Sequence, residues 1–113
     1  MTAAALAAVE RVVARGGDAD AVLREVVSIL HARLGRFVRI SFLEQERLVP
    51  GPAEGEVTVT TAIPISFQER PVAELEAGGE LSADERALLS QVAALLAPYA
   101  LVGWDTGGED WTP

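Results

Sequence analysis

Apolar residues recur every three to four positions in three stretches of the chain, a spacing that predicts three amphipathic helices. The first helix is capped by Thr2 and ends at a pair of glycines, Gly16 and Gly17. The second begins at Asp18 or Asp20 and ends at Gly35. Their apolar stripes are Leu6, Val9 and Val13 in the first, and Leu23, Val26, Leu30 and Leu34 in the second.

The third helix opens at a capping box formed by Ser82 and Glu85. Pro98 is expected to kink this helix or to end its first segment, because proline removes one backbone donor. The eighteen residues 87–104 carry no charge, so either a lipid bilayer or a protein interface is expected to cover them. Ser90, Gln91 and Pro98 within the stretch favour a protein interface.

Between the second and third helices the hydrophobic period changes to two, which is typical of strands. A first strand is followed by a short second one at residues 48–49, and residues 50–55 form a loop. A long strand over residues 57–67 contains Pro64, which cannot donate to a ladder, so this strand is predicted to lie at a sheet edge or to carry a bulge. The residues predicted to face the core are Val38, Ile40 and Phe42 in the first strand and Ala73, Leu75 and Ala77 in the last.

Three of these stretches resemble parts of the GAF domain, a family of small regulatory modules. They are residues 18–34 running through Gly35 into 37–43, residues 61–65 followed by a turn and 72–75, and residues 81–89. The resemblance implies an α+β fold, in which an antiparallel sheet of four to five strands carries the two N-terminal helices and the C-terminal helix on one face. It also implies dimerisation through the first and last helices, as in many members of the family.

The chain departs from this family where the ligand pocket is usually roofed. GAF domains usually insert a long segment with extra helices before the strand that ends in an Ile-Pro-Ile-like motif, whereas only residues 50–55 and a strand start occupy that place here. The face that a roof would cover carries polar side chains that can stand in water, which predicts that it lacks an apolar pocket. These side chains are Arg39, Ser41, Thr58, Thr60, Ser66, Glu74 and Glu76.

We therefore predict a trimmed GAF-like domain over residues 1–104, followed by an acidic tail over residues 105–113. Trp104 and Trp111 are equally consistent with a contact to a partner and with a clasp on their own domain.

Charge is unevenly distributed along the chain, whose net charge is −8. Residues 1–50 hold seven arginines against six acidic residues, whereas residues 51–113 hold two arginines against eleven. Because the second half repels phosphate groups, neither nucleic acid nor an anionic membrane surface is an expected partner. The Ala-rich start lacks the basic region of a signal peptide, so a cytoplasmic location is expected.

The titratable groups do not converge on a catalytic centre. The chain has no cysteine, and the GAF relatives that reduce methionine sulfoxide or hold bilin covalently depend on cysteines. No nucleophile and orienting group can be assembled around His31, the single histidine. Glu74 and Glu76 share a strand face where a cation could be held near Arg39, although a solvated face with cross-strand ion pairs is the interpretation we favour. We predict no enzyme activity, no cofactor and no metal site.

The sequence-based hypothesis is a non-enzymatic regulatory or scaffolding module that homodimerises through its first and last helices. The predicted dimer interface consists of Leu6, Val9, Val13, Leu88, Val92, Leu95, Leu96 and Tyr99. The alternative is a small-molecule sensor with a shallow site on the open sheet face. The residues of that site are Arg39, Ser41, Glu74 and Glu76. The sequence identifies no other protein partner.

Overall fold

A computed structural model describes residues 2–102 of the chain, which form three helices and one four-stranded sheet. In chain order the elements are α1 (Thr2–Arg15), α2 (Ala19–Leu34), β1 (Val38–Glu44), β2 (Arg47–Glu54), β3 (Thr60–Phe67), β4 (Arg70–Gly78) and α3 (Ala83–Val102). Every neighbouring pair of strands is antiparallel, in the order β2-β1-β4-β3. The predicted α+β fold class is confirmed. The predicted tail at residues 105–113, with Trp104 and Trp111, lies outside the described residues.

Local side-chain chemistry explains where α2 and α3 begin and end. Asp18 accepts a hydrogen bond from the backbone N–H of Ala21 at 3.2 Å, which caps α2. At the other end of α2, Gly35 adopts a φ of 67°, a left-handed conformation that glycine takes without steric cost. The predicted capping box of α3 is confirmed in both directions, because Ser82 N–H donates to Glu85 at 2.9 Å and Glu85 N–H to Ser82 at 3.1 Å.

The three helices cover one face of the sheet in two layers. Helix α2 packs on β1 and β2, α3 packs on β3 and β4, and α1 lies across α2 and α3. The core between these layers is mainly aliphatic, with Phe42 as a buried aromatic member, and its small side chains let the elements approach closely. Its largest fully buried side chains are Leu23, Leu30, Ile40, Ile65, Leu75, Leu89 and Leu96, followed by Val9, Val26, Val27, Val38 and Val92.

Two strand boundaries differ from the prediction. Strand β2 spans Arg47–Glu54, so the loop predicted at residues 50–55 is wrong over most of its length. An edge strand tolerates proline because half of its backbone donors face away from the sheet, and a bulge opposite β1 accommodates the extra residue. Strand β3 begins at Thr60 rather than at residue 57, because β4 ends at Gly78, the residue opposite Thr60. Five residues, 55–59, connect β2 to β3.

Pro64 lies in an edge strand, as predicted. The N–H of Gly79 donates to the carbonyl of Val59 at 2.9 Å, while Gly78 N–H donates towards β1, to the carbonyl of Phe37. In an antiparallel ladder, successive residues direct their backbone groups alternately towards and away from the partner. The backbone groups of Thr60, Ala62 and Pro64 therefore point away from β4, so the missing donor of Pro64 faces the open edge.

Helix α3 continues through Pro98 to Val102, so the expectation that a segment ends there is wrong, and the alternative, a kink at Pro98, stays a prediction. The ring of Pro98 is exposed, while Leu96, Ala97 and Ala100 around it are buried and hold the last turns against the core. Tertiary packing thus overrides the lost hydrogen bond. Among the described residues, no helix has the length and apolar character needed to cross a bilayer.

Both hairpins turn through a Gln-Glu pair with positive φ. The values are 52° and 67° at Gln45 and Glu46, and 54° and 68° at Gln68 and Glu69. Two-residue turns with two positive φ angles match the twist of antiparallel strands, but they favour Asn and Gly. Strands β1 and β3 run in the same direction, so both turns lie at one end of the sheet.

Candidate functional site

The sheet face opposite the helices carries a polar centre framed by apolar side chains. Residues directly opposite each other in an antiparallel ladder share a face, so the register arranges these side chains in rows across the strands. The rows are Leu48–Leu43, Pro50–Ser41–Glu74–Pro64 and Ala53–Arg39–Glu76–Ala62. The four residues predicted for a ligand face, Arg39, Ser41, Glu74 and Glu76, therefore lie together at the centre.

An ion pair occupies the middle of this face. The Nε atom of Arg39 donates to Oε1 of Glu76 at 2.8 Å, and Nη2 donates to the same oxygen at 2.5 Å. The guanidinium also lies 5.4 Å from the centroid of the Phe37 ring, within the range of a cation–π contact. The face thus has a fixed ion pair that packs on an aromatic ring. The sequence predicted a cross-strand ion pair here, but not its contact with Phe37.

The prediction that this face stands in water is wrong for two of its residues. Ser41 is 3% exposed and Glu76 is 4% exposed. Glu76 lies on β4, an inner strand, between Arg39 on β1 and Ala62 on β3, and the guanidinium covers its carboxylate. Ser41 lies on β1 between Pro50 on β2 and Glu74 on β4. Glu74 is half-buried, so its carboxylate is more accessible to solvent than that of Glu76.

A second polar network ties the start of α3 to the sheet, and sequence reasoning missed it. Arg36 donates to both carboxylate oxygens of Glu85, at 3.0 and 3.2 Å, and to the carbonyl of Gly78 at 2.7 Å. The backbone N–H of Ser82 and the Arg36 guanidinium together hold the pKa of Glu85 below its ordinary value of 4.5. A basic residue directly after the helix-ending glycine was the available signal.

His31 belongs to the same junction between α2 and β1. Its Nδ1 atom lies 2.8 Å from the carbonyl oxygen of Arg36, which joins the end of α2 to the start of β1. Among the residues that the structure describes, no three His, Asp or Glu side chains converge on a common point. The absence of a metal or cofactor site stays a prediction.

Four of the eight residues of the predicted dimer interface are buried within a single chain. Val9, Leu88, Val92 and Leu96 are at most 3% exposed within a single chain, because α1, which carries Val9, and α3, which carries the other three, are packed into the core. They are therefore not available to a second copy. The other four, Leu6, Val13, Leu95 and Tyr99, are half-buried, and the Tyr99 hydroxyl donates to the carbonyl of Val13 at 3.3 Å.

The surface of α3 that is open to solvent is a different stripe of the same helix. It contains no charged side chain between residues 87 and 101, and Leu101 at its end is 50% exposed. We call these residues the outer stripe of α3: Ala87, Ser90, Gln91, Ala94, Pro98 and Leu101. On one side the outer stripe borders a groove of about 250 Å³ between α3 and the edge strand β3. The groove is lined by Ile63, Pro64, Ser66, Ser90, Ala93 and Ala94.

The fold resembles that of solved GAF and GAF-like proteins. The GAF domain of an Acinetobacter phosphoenolpyruvate-protein phosphotransferase superimposes with a TM-score of 0.77 at 9% identity, over 94% of this chain and 96% of that one. Free methionine-R-sulfoxide reductase from Neisseria meningitidis, in complex with its substrate, gives a TM-score of 0.72 at 16% identity, covering 85% and 86%. The corresponding substrate complex from Staphylococcus aureus gives 0.60 at 13% identity, covering 71% and 82%. No family model and no curated protein matches the sequence.

These similarities confirm that the chain has a GAF-like fold. The prediction that this chain has no enzyme activity is overturned, because two solved proteins with a similar fold are reductases. At these identities the likeness shows the fold alone, and it assigns no reaction to this chain. A thiol-dependent reaction would need a sulfur from elsewhere, since no cysteine occurs among the 113 residues.

Proposed function

We propose that this chain is a GAF-like regulatory module that works as a homodimer, with α1 and α3 forming the contact between the two copies. The observation that carries the proposal is the outer stripe of α3, which is uncharged yet exposed on a chain of net charge −8. A module of this kind acts by holding two copies, and whatever is attached to them, in a fixed relation.

The outer stripe suits a helix contact for steric and electrostatic reasons. Two copies with a net charge of −8 repel each other, and the repulsion is weakest where neither surface carries charge. Small side chains such as Ala94 let two helix backbones approach closely, and Leu101 adds apolar surface that water would otherwise cover. Half-buried Leu6 and Val13 of α1 belong to the interface predicted from the sequence and bring the first helix into the proposed contact.

The solved GAF domain supports a role as a module, because it comes from a phosphoenolpyruvate-protein phosphotransferase and is one domain of that protein. The fold therefore serves there as one part of a larger assembly of functions.

A charge placed on the outer stripe tests the proposal. Sedimentation velocity over a wide concentration range should show a dimer for the wild type and a monomer for Ala94→Glu. The variant should dissociate because the new carboxylate would lie against the equivalent carboxylate of the second copy across the contact. The matched control is Ala32→Glu, the same change at an exposed alanine of α2, which should remain dimeric. Circular dichroism checks that both variants are folded. A dimer of unchanged affinity after Ala94→Glu would contradict the proposal.

The alternative function is a small-molecule sensor, and the polar centre of the open face supports it. Arg39, Ser41, Glu74 and Glu76 come together there within an apolar frame, which is the composition of many small-ligand sites. Native mass spectrometry of the purified protein tests it, because a retained ligand would add a defined mass. Loss of that mass after Glu74→Gln, with the fold intact, would locate the ligand on this face, and the bare mass in every preparation would argue against it.

A further inference from the structure

We propose that the open edge of β3 pairs antiparallel with the same edge of a second copy, so that the dimer contains one continuous sheet. This inference rests on the proposed homodimer and specifies its geometry. It adds a backbone contact to the contact between helices, at the place where α3 lies above β3.

Among residues 2–102, no strand pairs with the backbone groups that β3 presents at this edge. Thr60 and Ala62 direct their N–H and C=O groups away from β4, as the hydrogen bond from Gly79 to Val59 requires. Such a row is a template for another strand. Pro64 interrupts the row of donors, so pairing is confined to the residues before it.

The two edges of the sheet differ in how well they are blocked. Strand β2, at the opposite edge, contains both Pro50 and Pro52 and a bulge in its ladder with β1. Proline and bulges are the usual means by which proteins prevent edge pairing. Strand β3 has only Pro64 and is preceded by residues 57–59, which are all β-branched, as is Thr60 at its start. The β3 edge, which is less blocked than the β2 edge, therefore also has the higher propensity to form a strand.

Side chains beside this edge indicate that a second copy fits it. Val57 and Val59 are 76% and 84% exposed, the highest values among the large apolar side chains described. With a two-fold axis at Thr60, two residues of the two copies face each other when their residue numbers add up to 120. Val57 of one copy then lies opposite Ile63 of the second copy, on the helix side of the sheet. Ile63 lines the groove between β3 and α3, so each copy would cover its Val57 with the groove of the other, while Val59 would lie opposite Thr61 of the second copy.

Charge supports a second copy as the occupant. No charged residue occurs between residues 57 and 67, and none occurs along the outer stripe of α3 that borders the same groove. Pairing about the two-fold axis therefore brings two acidic chains together along a strip without like-charge contacts. It also places the two α3 helices side by side above the joined strands.

Amide hydrogen exchange followed by NMR tests the pairing residue by residue. The amides of Thr61 and Ile63 face β4 and should be protected at every concentration. The amides of Thr60 and Ala62 face the open edge, and they should be protected in the dimer and exchange rapidly on dilution to the monomer. Rapid exchange of both in a sample that is fully dimeric would overturn the inference, as would protection of both in a strictly monomeric protein, which would mean that the chain covers its own edge.

Ala62→Pro provides the matching variant, because it removes only an outward-facing donor, as Pro64 already does two residues later. We expect it to weaken dimerisation about tenfold or more, the equivalent of losing one or two hydrogen bonds. The control is Ala62→Pro combined with Ala94→Glu, which we expect to be monomeric. The double variant should unfold at nearly the same temperature as Ala94→Glu alone, which would show that the proline does not destabilise the monomer. Unchanged affinity after Ala62→Pro would contradict edge pairing.

The two proposals fail in distinguishable ways. A wild-type protein that is monomeric at all concentrations would refute both. A dimer that Ala94→Glu dissociates, but whose Thr60 and Ala62 amides exchange rapidly, would retain the helix contact and refute only the edge pairing. A dimer that survives Ala94→Glu with both amides protected would refute the helix contact and support the edge.

Discussion

Removing Arg39 should destabilise the protein more than removing its partner, Glu76. The two side chains form one ion pair but differ in their access to water. The Glu76 side chain is 6% exposed, whereas that of Arg39 is 27% exposed. Arg39→Ala therefore leaves a buried carboxylate without a counter-charge, while Glu76→Ala leaves a guanidinium that can still reach solvent.

The size of the difference follows from the cost of a buried, unpaired charge. Breaking a buried pair by removing one partner costs about 3–5 kcal/mol, and we expect Arg39→Ala to fall in this range. Glu76→Ala should cost about 1–2 kcal/mol, because the remaining charge is hydrated and still contacts the Phe37 ring. The same change in the exposed pair of Arg15 and Glu25, whose side chains are 62% and 45% exposed, should cost less than about 1 kcal/mol.

Urea unfolding followed by circular dichroism measures all three free energies in one assay. Measurements at several protein concentrations separate folding from dimerisation. The order of cost should be Arg39→Ala, then Glu76→Ala, then Arg15→Ala. Equal losses for the two partners of the central pair, or a larger loss for Glu76→Ala, would refute the argument from unequal burial.

Three further predictions test other parts of the structure. Glu85→Gln should lower the free energy of unfolding by about 1–2 kcal/mol at pH 7. The difference between variant and wild type should vanish as the pH falls below 4.5, because a carboxyl with a lowered pKa stabilises the fold only while it is ionised. Unfolding experiments at a series of pH values measure this difference, and a difference that does not change with pH would contradict the assignment. Gly51→Ala should cost about 1–3 kcal/mol, since the added Cβ would collide with the Phe42 ring and the carbonyl oxygen of Ile40, and Phe42→Leu should restore the part of the loss that comes from the ring. Glycine in place of Glu46 or Glu69 should raise the melting temperature, because both residues have positive φ.

Features governed by neighbouring residues could be predicted from the sequence. The cap at Asp18, the stop at Gly35 and the box at Ser82 and Glu85 each depend on atoms within a few residues, and the structure confirms them. The edge position of β3 was also predictable, because Pro64 removes a donor that an inner strand would need.

Features governed by distant residues were not predictable in the same way. The sequence marks Glu76 as outward-facing, which is correct, but its burial depends on Arg39, 37 residues away. Likewise, the apolar positions of α3 do not reveal which are covered by α1 and which remain open, since this depends on the crossing of the two helices. The predicted interface therefore included Val92 and Leu96, which lie in the core of one chain.

The strand order has a consequence for the rate of folding. Strands β1 and β2, and likewise β3 and β4, are joined by two-residue turns, so each hairpin can form within microseconds. The ladder between β1 and β4 closes a much longer loop, because Val38 pairs with Ala77 across the whole of both hairpins. We expect the joining of the two preformed hairpins to limit the rate. Changes at Arg39 should therefore slow refolding, whereas changes at the outer stripe of α3 should leave the refolding rate of the monomer unaltered.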